Sequence, residues 1–371
     1  MSKNINRRQN LTAATLFFAA LIGLGAVHSQ GIRNPDEDTI NGLYQPKDTA
    51  NQNSITHDTG TSIKTFYSVA IDNNNNKWFI TEQGIVSFDG KKWTLHNKNG
   101  NVPAQDLKDF AYEVTPDGQK LWIASPKGAI VASLPLDGGT VATTYGTENT
   151  PLPDNNVTRV AIGKSHLRWF GSAKGVSALK DDQWLKANYG DIYPQELFQD
   201  YPITAMASNA EGDSLYVATK GAGIARLQRT DADGITGASV YAQWGPILLP
   251  SDSVYSIFIA PDHTKWFGTD QGIARHTGNL TLKNWKVFTT KDGLADNFVQ
   301  AIAADQTGKI WIGTKKGISV FDGTSWNSFV MDESHNSNNI RCIAVDKTGV
   351  IWFGTDNGVI SYENGDFTGY R

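Results

Sequence analysis

Cysteine is nearly absent from this 371-residue chain: Cys342 stands alone, so no internal disulfide can form. It falls at a core-facing position of an expected strand, where a free thiol acts as a small buried apolar group. Charge is scarce as well. Charged residues make up 19%, below the usual ~25%. The formal net charge is −4 and no long basic run occurs, which argues against nucleic acid as a partner. Apolar runs long enough to cross a membrane are missing after Val27, so no span is expected in a mature chain.

The one apolar run, Leu11–Val27, follows Lys3, Arg7 and Arg8 and precedes the small-residue site Val27-His28-Ser29 before Gln30. That order reads as an export signal over residues 1–29. The alternative is an uncleaved anchor, since the run sits at the lower edge of a membrane span. Either way the rest of the chain is expected outside the cytoplasm, periplasmic or secreted. Residues 30–59 are polar, carry Pro, Asn, Asp and Thr, and read as a linker. Within them Ser54-Ile55-Thr56-His57 echoes Trp93-Thr94-Leu95-His96, a candidate strand to help close the last unit. Asp366–Tyr370 already offers that unit an outer strand of its own.

Glycine and tryptophan are plentiful, at 36 and 11. They recur in a phrase of the type I-A-x-D-x-x-G-x-x-W-F-G-T-x-x-G-I-x-x-F-D-G-x-x-W. Its first aromatic falls at Trp78, Trp122, Trp169, Tyr216, Trp266, Trp311 and Trp352, with gaps of 44, 47, 47, 50, 45 and 41 residues. A period of about 40–50 residues with turn signals inside each unit marks a four-stranded propeller blade. The expected fold is all-β, a seven-bladed β-propeller of four-stranded antiparallel blades over residues 60–371. In the sixth unit, strands are expected at Val299–Ala304, Ile310–Thr314, Gly317–Phe321 and Trp326–Val330. Turns are expected at Asp305–Lys309 and Asp322-Gly323. A lone blade would expose both sheet faces, so neighbours must stack and the tryptophan fills the gap between them. The glycine after it, as in Gly313, lets the next blade approach. Blades two to four depart from the phrase. Blade four has Tyr216 for Trp and an insertion near Thr230–Gly237, where Asp231-Ala232-Asp233-Gly234 reads as an ordinary turn because the other EF-hand ligand positions are missing.

Ile310-Trp311-Ile312-Gly313-Thr314-Lys315-Lys316-Gly317-Ile318-Ser319-Val320-Phe321-Asp322-Gly323 resembles the two-component regulator propeller repeat. So does Lys291-Asp292-Gly293-Leu294-Ala295-Asp296-Asn297-Phe298-Val299 before it. The resemblance covers residues 66–371 and implies a periplasmic sensor-type propeller that binds or responds to glycans. No kinase or response-regulator segment follows the last repeat, so the chain is expected to bind, present or process something rather than signal alone. Trp78-Phe79-Ile80-Thr81-Glu82 is similar, more loosely, to virginiamycin B lyase. That family cleaves streptogramins by elimination with a histidine, a glutamate and magnesium. Its paired-histidine motif is missing here, so no catalytic residue carries over.

Loops between second and third strands are expected to ring the central opening on one face, the top. They supply Glu82, Lys127, Lys174, Lys220, Asp270, Lys316 and Asp356, a mixed rim suited to a polar ligand such as an oligosaccharide or an acidic sugar, or to nothing but solvent. The longest inter-blade loop, Asn188–Pro202, adds Tyr189, Tyr193, Phe198 and Tyr201, able to stack on sugars or a protein or to fold inward as a small core of their own. His335 with Glu82 and Asp356 is the weak catalytic constellation, a base beside carboxylates; two surface histidines, His96 and His335, are the plain alternative. The expected function is an exported, non-catalytic binding module without a cofactor, recognising a glycan or a secreted or envelope protein at the top face. The alternatives are a magnesium-dependent streptogramin-lyase-like enzyme and a scaffold subunit of an envelope complex.

Overall fold

Four strands per repeat form where the phrase places them. In the sixth blade they are Val299–Ala304, Ile310–Thr314, Gly317–Phe321 and Trp326–Phe329. The computed structural model describes residues 62–96, 102, 105–136, 142–188, 200–230, 234–241, 249–278, 284–331 and 337–371, with the backbone at 39–40, 43–44 and 47–48. Within them lie seven antiparallel four-stranded blades. Their inner strands are Phe66–Ile71, Asp109–Thr115, Val157–Ile162, Ile203–Ser208, Val254–Ile259, Val299–Ala304 and Ile340–Val345. Each inner strand touches the next, and the seventh touches the first. The ring is closed.

Closure needs no exchanged strand. Blade one (Phe66 to Leu95) and blade seven (Ile340 to Tyr370) each draw all four strands from one continuous stretch. Blade seven also gains a short fifth strand: Lys47–Asp48 pair in parallel with Thr368 and Gly369. The candidate strand at Ser54–His57 lies outside the described residues. Blades three and four share a different device. Lys186–Asn188 of one outer strand pair in parallel with Gly234–Thr236 of the other, merging two blades into one eight-stranded sheet. The insertion in blade four thus extends its outer strand, Gly234–Tyr241.

Seven hydrophobic clusters hold the ring, and each combines two adjacent blades. That is the expected consequence of stacking sheets with two apolar faces. Between blades seven and one, Trp352 packs on Phe88 and Tyr370, with ring centroids 5.6 and 5.5 Å away. The approach is as close as the glycine pattern requires. A Cβ on Gly313 would sit 2.5 Å from Ile340 Cγ2 in the next blade, and one on Gly354 would sit 2.9 Å from Phe66 Cβ.

The repeated aspartate has a structural task. Asp72, Asp305 and Asp346 each cap their hairpin by accepting backbone N–H groups. Each also accepts the indole N–H of its own blade's Trp78, Trp311 or Trp352, at 3.0, 2.8 and 3.1 Å. Blade two solves the same problem differently: Glu113 reaches from the inner strand to accept from Trp122 Nε1 at 2.7 Å. Blade three has Gly163 at this position, and Trp169 Nε1 is buried with no hydrogen-bond partner among the described residues.

Candidate functional site

The threonine or serine ending each second strand closes the following turn. Its hydroxyl donates to the turn glycine's carbonyl, as Thr81 does to Gly84 at 2.9 Å and Thr314 to Gly317 at 2.8 Å. Gly317, at φ +136, could not carry a side chain, because a Cβ would collide with the Phe329 carbonyl. These turns are therefore rigid, and the residues between Thr and Gly are presented in fixed directions.

A second feature shapes the centre. In six blades the register slips by one near the start of the inner strand, at Tyr67, Thr158, Thr204, Tyr255, Gln300 and Arg341. A bulge leaves one residue unpaired and re-aims its side chain. Five of these residues, all but Thr158, line a cavity of ≈ 500 Å³. Arg159 supplies blade three's contribution, and Thr81, Glu82 and the segment from Gln105 to Lys108 complete the wall. Blade two has no register shift. The cavity opens on the face of the turns after the second strands, the expected top.

Its polar groups are held in place. Asp356 accepts hydrogen bonds from Arg341 Nε and Asn339 Nδ2, and the Arg341 guanidinium carbon lies 5.6 Å from the centre of the Tyr67 ring. Tyr67 is 39% exposed, which is high for an aromatic in the middle of a ring. Arg159 donates to the carbonyls of Thr204 and Thr158. Asp109 accepts from Ser68 Oγ at 2.9 Å and Val160 N at 3.3 Å. Burial raises its pKa, and the Arg159 charge opposes that rise. Gln300 Nε2 donates to Asn339 Oδ1 and the Ile340 carbonyl, at 2.6 and 2.9 Å. Tyr255 packs on Phe298 at 4.5 Å. Burial, then the nearby Asp270 carboxylate, raises the Tyr255 hydroxyl's pKa. Asp270 Oδ1 is itself buried without a hydrogen-bond partner among the described residues.

Of the rim residues read from the sequence, Glu82 lines the cavity. Both its oxygens are engaged, accepting from Lys64 N at 2.8 Å and Thr65 N at 2.9 Å. Asp356 contributes by positioning Arg341, and Asp270 stands beside Tyr255. Lys316 pairs with Asp296 at 3.6 Å instead. Lys127, Lys174 and Lys220 do not line the cavity. Tyr189, Tyr193, Phe198 and His335 lie outside the described residues. Tyr201 is 37% exposed and lies over Gly221. His96, expected near the top surface, is half-buried between blades one and two. Ser87 Oγ lies 2.8 Å from its Nε2 and the Leu136 carbonyl 2.9 Å from its Nδ1, and burial lowers its pKa. The bulge residues were missed. Their signal is a position that varies among the repeats, Tyr67, Thr204, Tyr255, Gln300 and Arg341, each following a repeated apolar residue.

Among the described residues no group of three or more His, Cys, Asp or Glu is placed to hold a metal ion. No helix there is long and apolar enough to cross a membrane.

Two of the repeats match a known family. Residues 293–316 and 334–357 match the two component regulator propeller. No curated protein matches the chain in sequence. Among solved structures, the chain is similar to an extracellular domain assigned to a hybrid two component system of B. thetaiotaomicron. Identity is 19% and the TM-score 0.65, over 84% of this chain and 40% of that one. It is also similar to a catalytically inactive virginiamycin B lyase from Staphylococcus aureus with quinupristin, at 16% identity and TM-score 0.57, over 85% and 97% of the chains. A third is PorZ, a surface component of the type-IX secretion system of Porphyromonas gingivalis, at 15% and 0.53, over 84% and 48%. At these identities the likeness shows the propeller fold, and the chain spans less than half the length of the first and third.

Proposed function

We propose that the protein is a non-catalytic recognition module working outside the cytoplasm, and that its ligand enters the mouth of the central cavity. The observation that carries this reading is Tyr67, an aromatic exposed at the mouth and backed by the Arg341–Asp356 pair. Side chains re-aimed by bulges on stacked inner strands form a rigid polar cup, and function commonly rides on such variable positions over a fixed scaffold. Similarity to extracellular domains of two component systems supports a sensor-type role, with a glycan as the first ligand class. The charged pattern at the N-terminus supports export through residues 1–29.

The test is a thermal-shift screen of the purified protein against glycans and streptogramins, each with and without magnesium. A ligand at a hundred times its Kd adds about 2.7 kcal/mol to stability. A hit lost in Tyr67→Ala supports the mouth as the site. Stabilisation by a streptogramin only with magnesium would favour a lyase. A blank panel with stable co-purification of envelope proteins would favour a scaffold role.

A further inference from the structure

The mouth is rich in charge yet has no charge to spare. Three cations stand there, Lys108, Arg159 and Arg341. Four carboxylates answer them: Glu82 and Asp106 in the wall, Asp356 on Arg341, and Asp109 beside Arg159. No net positive field is left to attract an acidic ligand. What remains is a mixture of hydrogen-bonding groups. Arg341 lines the cavity and uses Nε on Asp356, and its two terminal nitrogens have no hydrogen-bond acceptor among the described residues. Gln300 uses its amide nitrogen and retains its carbonyl oxygen.

An anionic group would satisfy the donors and bring a like charge toward the acceptors, leaving them desolvated and unpaired. A hydroxyl both donates and accepts, so a run of neighbouring hydroxyls matches alternating donors and acceptors. Tyr67, 39% exposed, offers an aromatic ring on which a pyranose C–H face can stack. Resting on the reading of the mouth as a binding site, we propose that its ligand is an uncharged saccharide, held through its hydroxyls and stacked on Tyr67.

The experiment is calorimetric titration of the protein with maltopentaose, cellopentaose, xylopentaose, mannopentaose and galactopentaose, and with tetragalacturonate as the acidic counterpart. Each is run in about 0.1 M and about 1 M NaCl, which shortens the Debye length from about 10 Å to about 3 Å. At least one neutral sugar is expected to bind, with Kd changing less than about twofold between the two salts, because no net charge is neutralised. Tyr67→Ala should weaken it by about tenfold or more, in the range of a lost aromatic contact, whereas His263→Ala, in a turn on the opposite face, should not. Asp356→Asn uncovers the Arg341 charge and should weaken the neutral sugar while improving tetragalacturonate. Tighter binding of tetragalacturonate to the unmodified protein, falling steeply with salt, would overturn the inference and leave the binding-module reading intact. Neutral binding indifferent to Tyr67→Ala would overturn it too. Binding of no saccharide at all would remove both.

Discussion

Lys77 Nζ lies 2.9 Å from Asp346 Oδ2, and this pair joins the first blade to the last. The two side chains are 6% and 1% exposed. Lys77 also lies over the Trp352 ring, 5.0 Å from its centre, while Trp352 donates to the same aspartate. A residue before one tryptophan thus reaches the carboxylate and indole of the preceding blade. Blades two and three repeat the arrangement: Arg168 donates to Glu113 at 2.9 Å and covers the Trp122 ring at 4.8 Å.

Asp346→Asn leaves the Lys77 charge buried and unmatched, and should cost about 3–5 kcal/mol of stability. Urea unfolding measures it. Burial pushes the Asp346 pKa up, but hydrogen bonds from Thr348, Lys77 and Trp352 outweigh it and hold it at about 2. Its folded pKa is therefore below the unfolded value near 3.9. The stabilisation is full above about pH 4 and is lost as the pH falls toward 2. Asp346→Asn should flatten the acid limb of the stability profile over that window. An unchanged limb would mean the pair contributes nothing to ring closure.

Gly163→Asp should supply the missing partner for Trp169 Nε1. The backbone there is extended, at φ −94 and ψ −176, which accepts a side chain. An added Cβ would sit 3.0 Å from Ser208 Oγ, so that hydroxyl must turn aside. The expected gain is about 1 kcal/mol, or a rise in Tm of about 1–2 °C for a propeller of this length. Asp305 is the precedent, since it serves Trp311 with hydrogen bonds alone. A lower Tm would show that Ser208 does not yield.

Cys342 should be unreactive in the folded protein. It is buried, and burial pushes its thiol pKa up to about 12, so almost no thiolate exists at pH 8. Iodoacetamide should label it only after unfolding in guanidinium chloride. Rapid labelling of the native protein, read by intact mass, would contradict the tight contact of blades seven and one around Phe66 and Gly354.

The repeat made the blades legible. Turn chemistry placed the hairpins, and a two-faced apolar strand could be satisfied only by stacking against a neighbour. The aspartate, the tryptophan and the Gly-Thr pair could be read as scaffold because each acts within its own repeat or against the next. The site was legible only in part. Glu82, Asp270 and Asp356 could be named because they sit in turns, but the sequence does not sort side chains into inward and outward ones: Glu82 lines the cavity, and Asp270 and Asp356 do not. Lys127 and Lys174 stand outside the cavity for that reason.

Local sequence decided strand positions, turn geometry and blade number, because those depend on neighbours a few residues away. Tertiary structure alone decided that Tyr67, Arg341 and Gln300 converge, since a bulge shows only when two strands pair. It alone decided that Lys77 meets Asp346, because closing the ring brings together two residues that the chain keeps far apart.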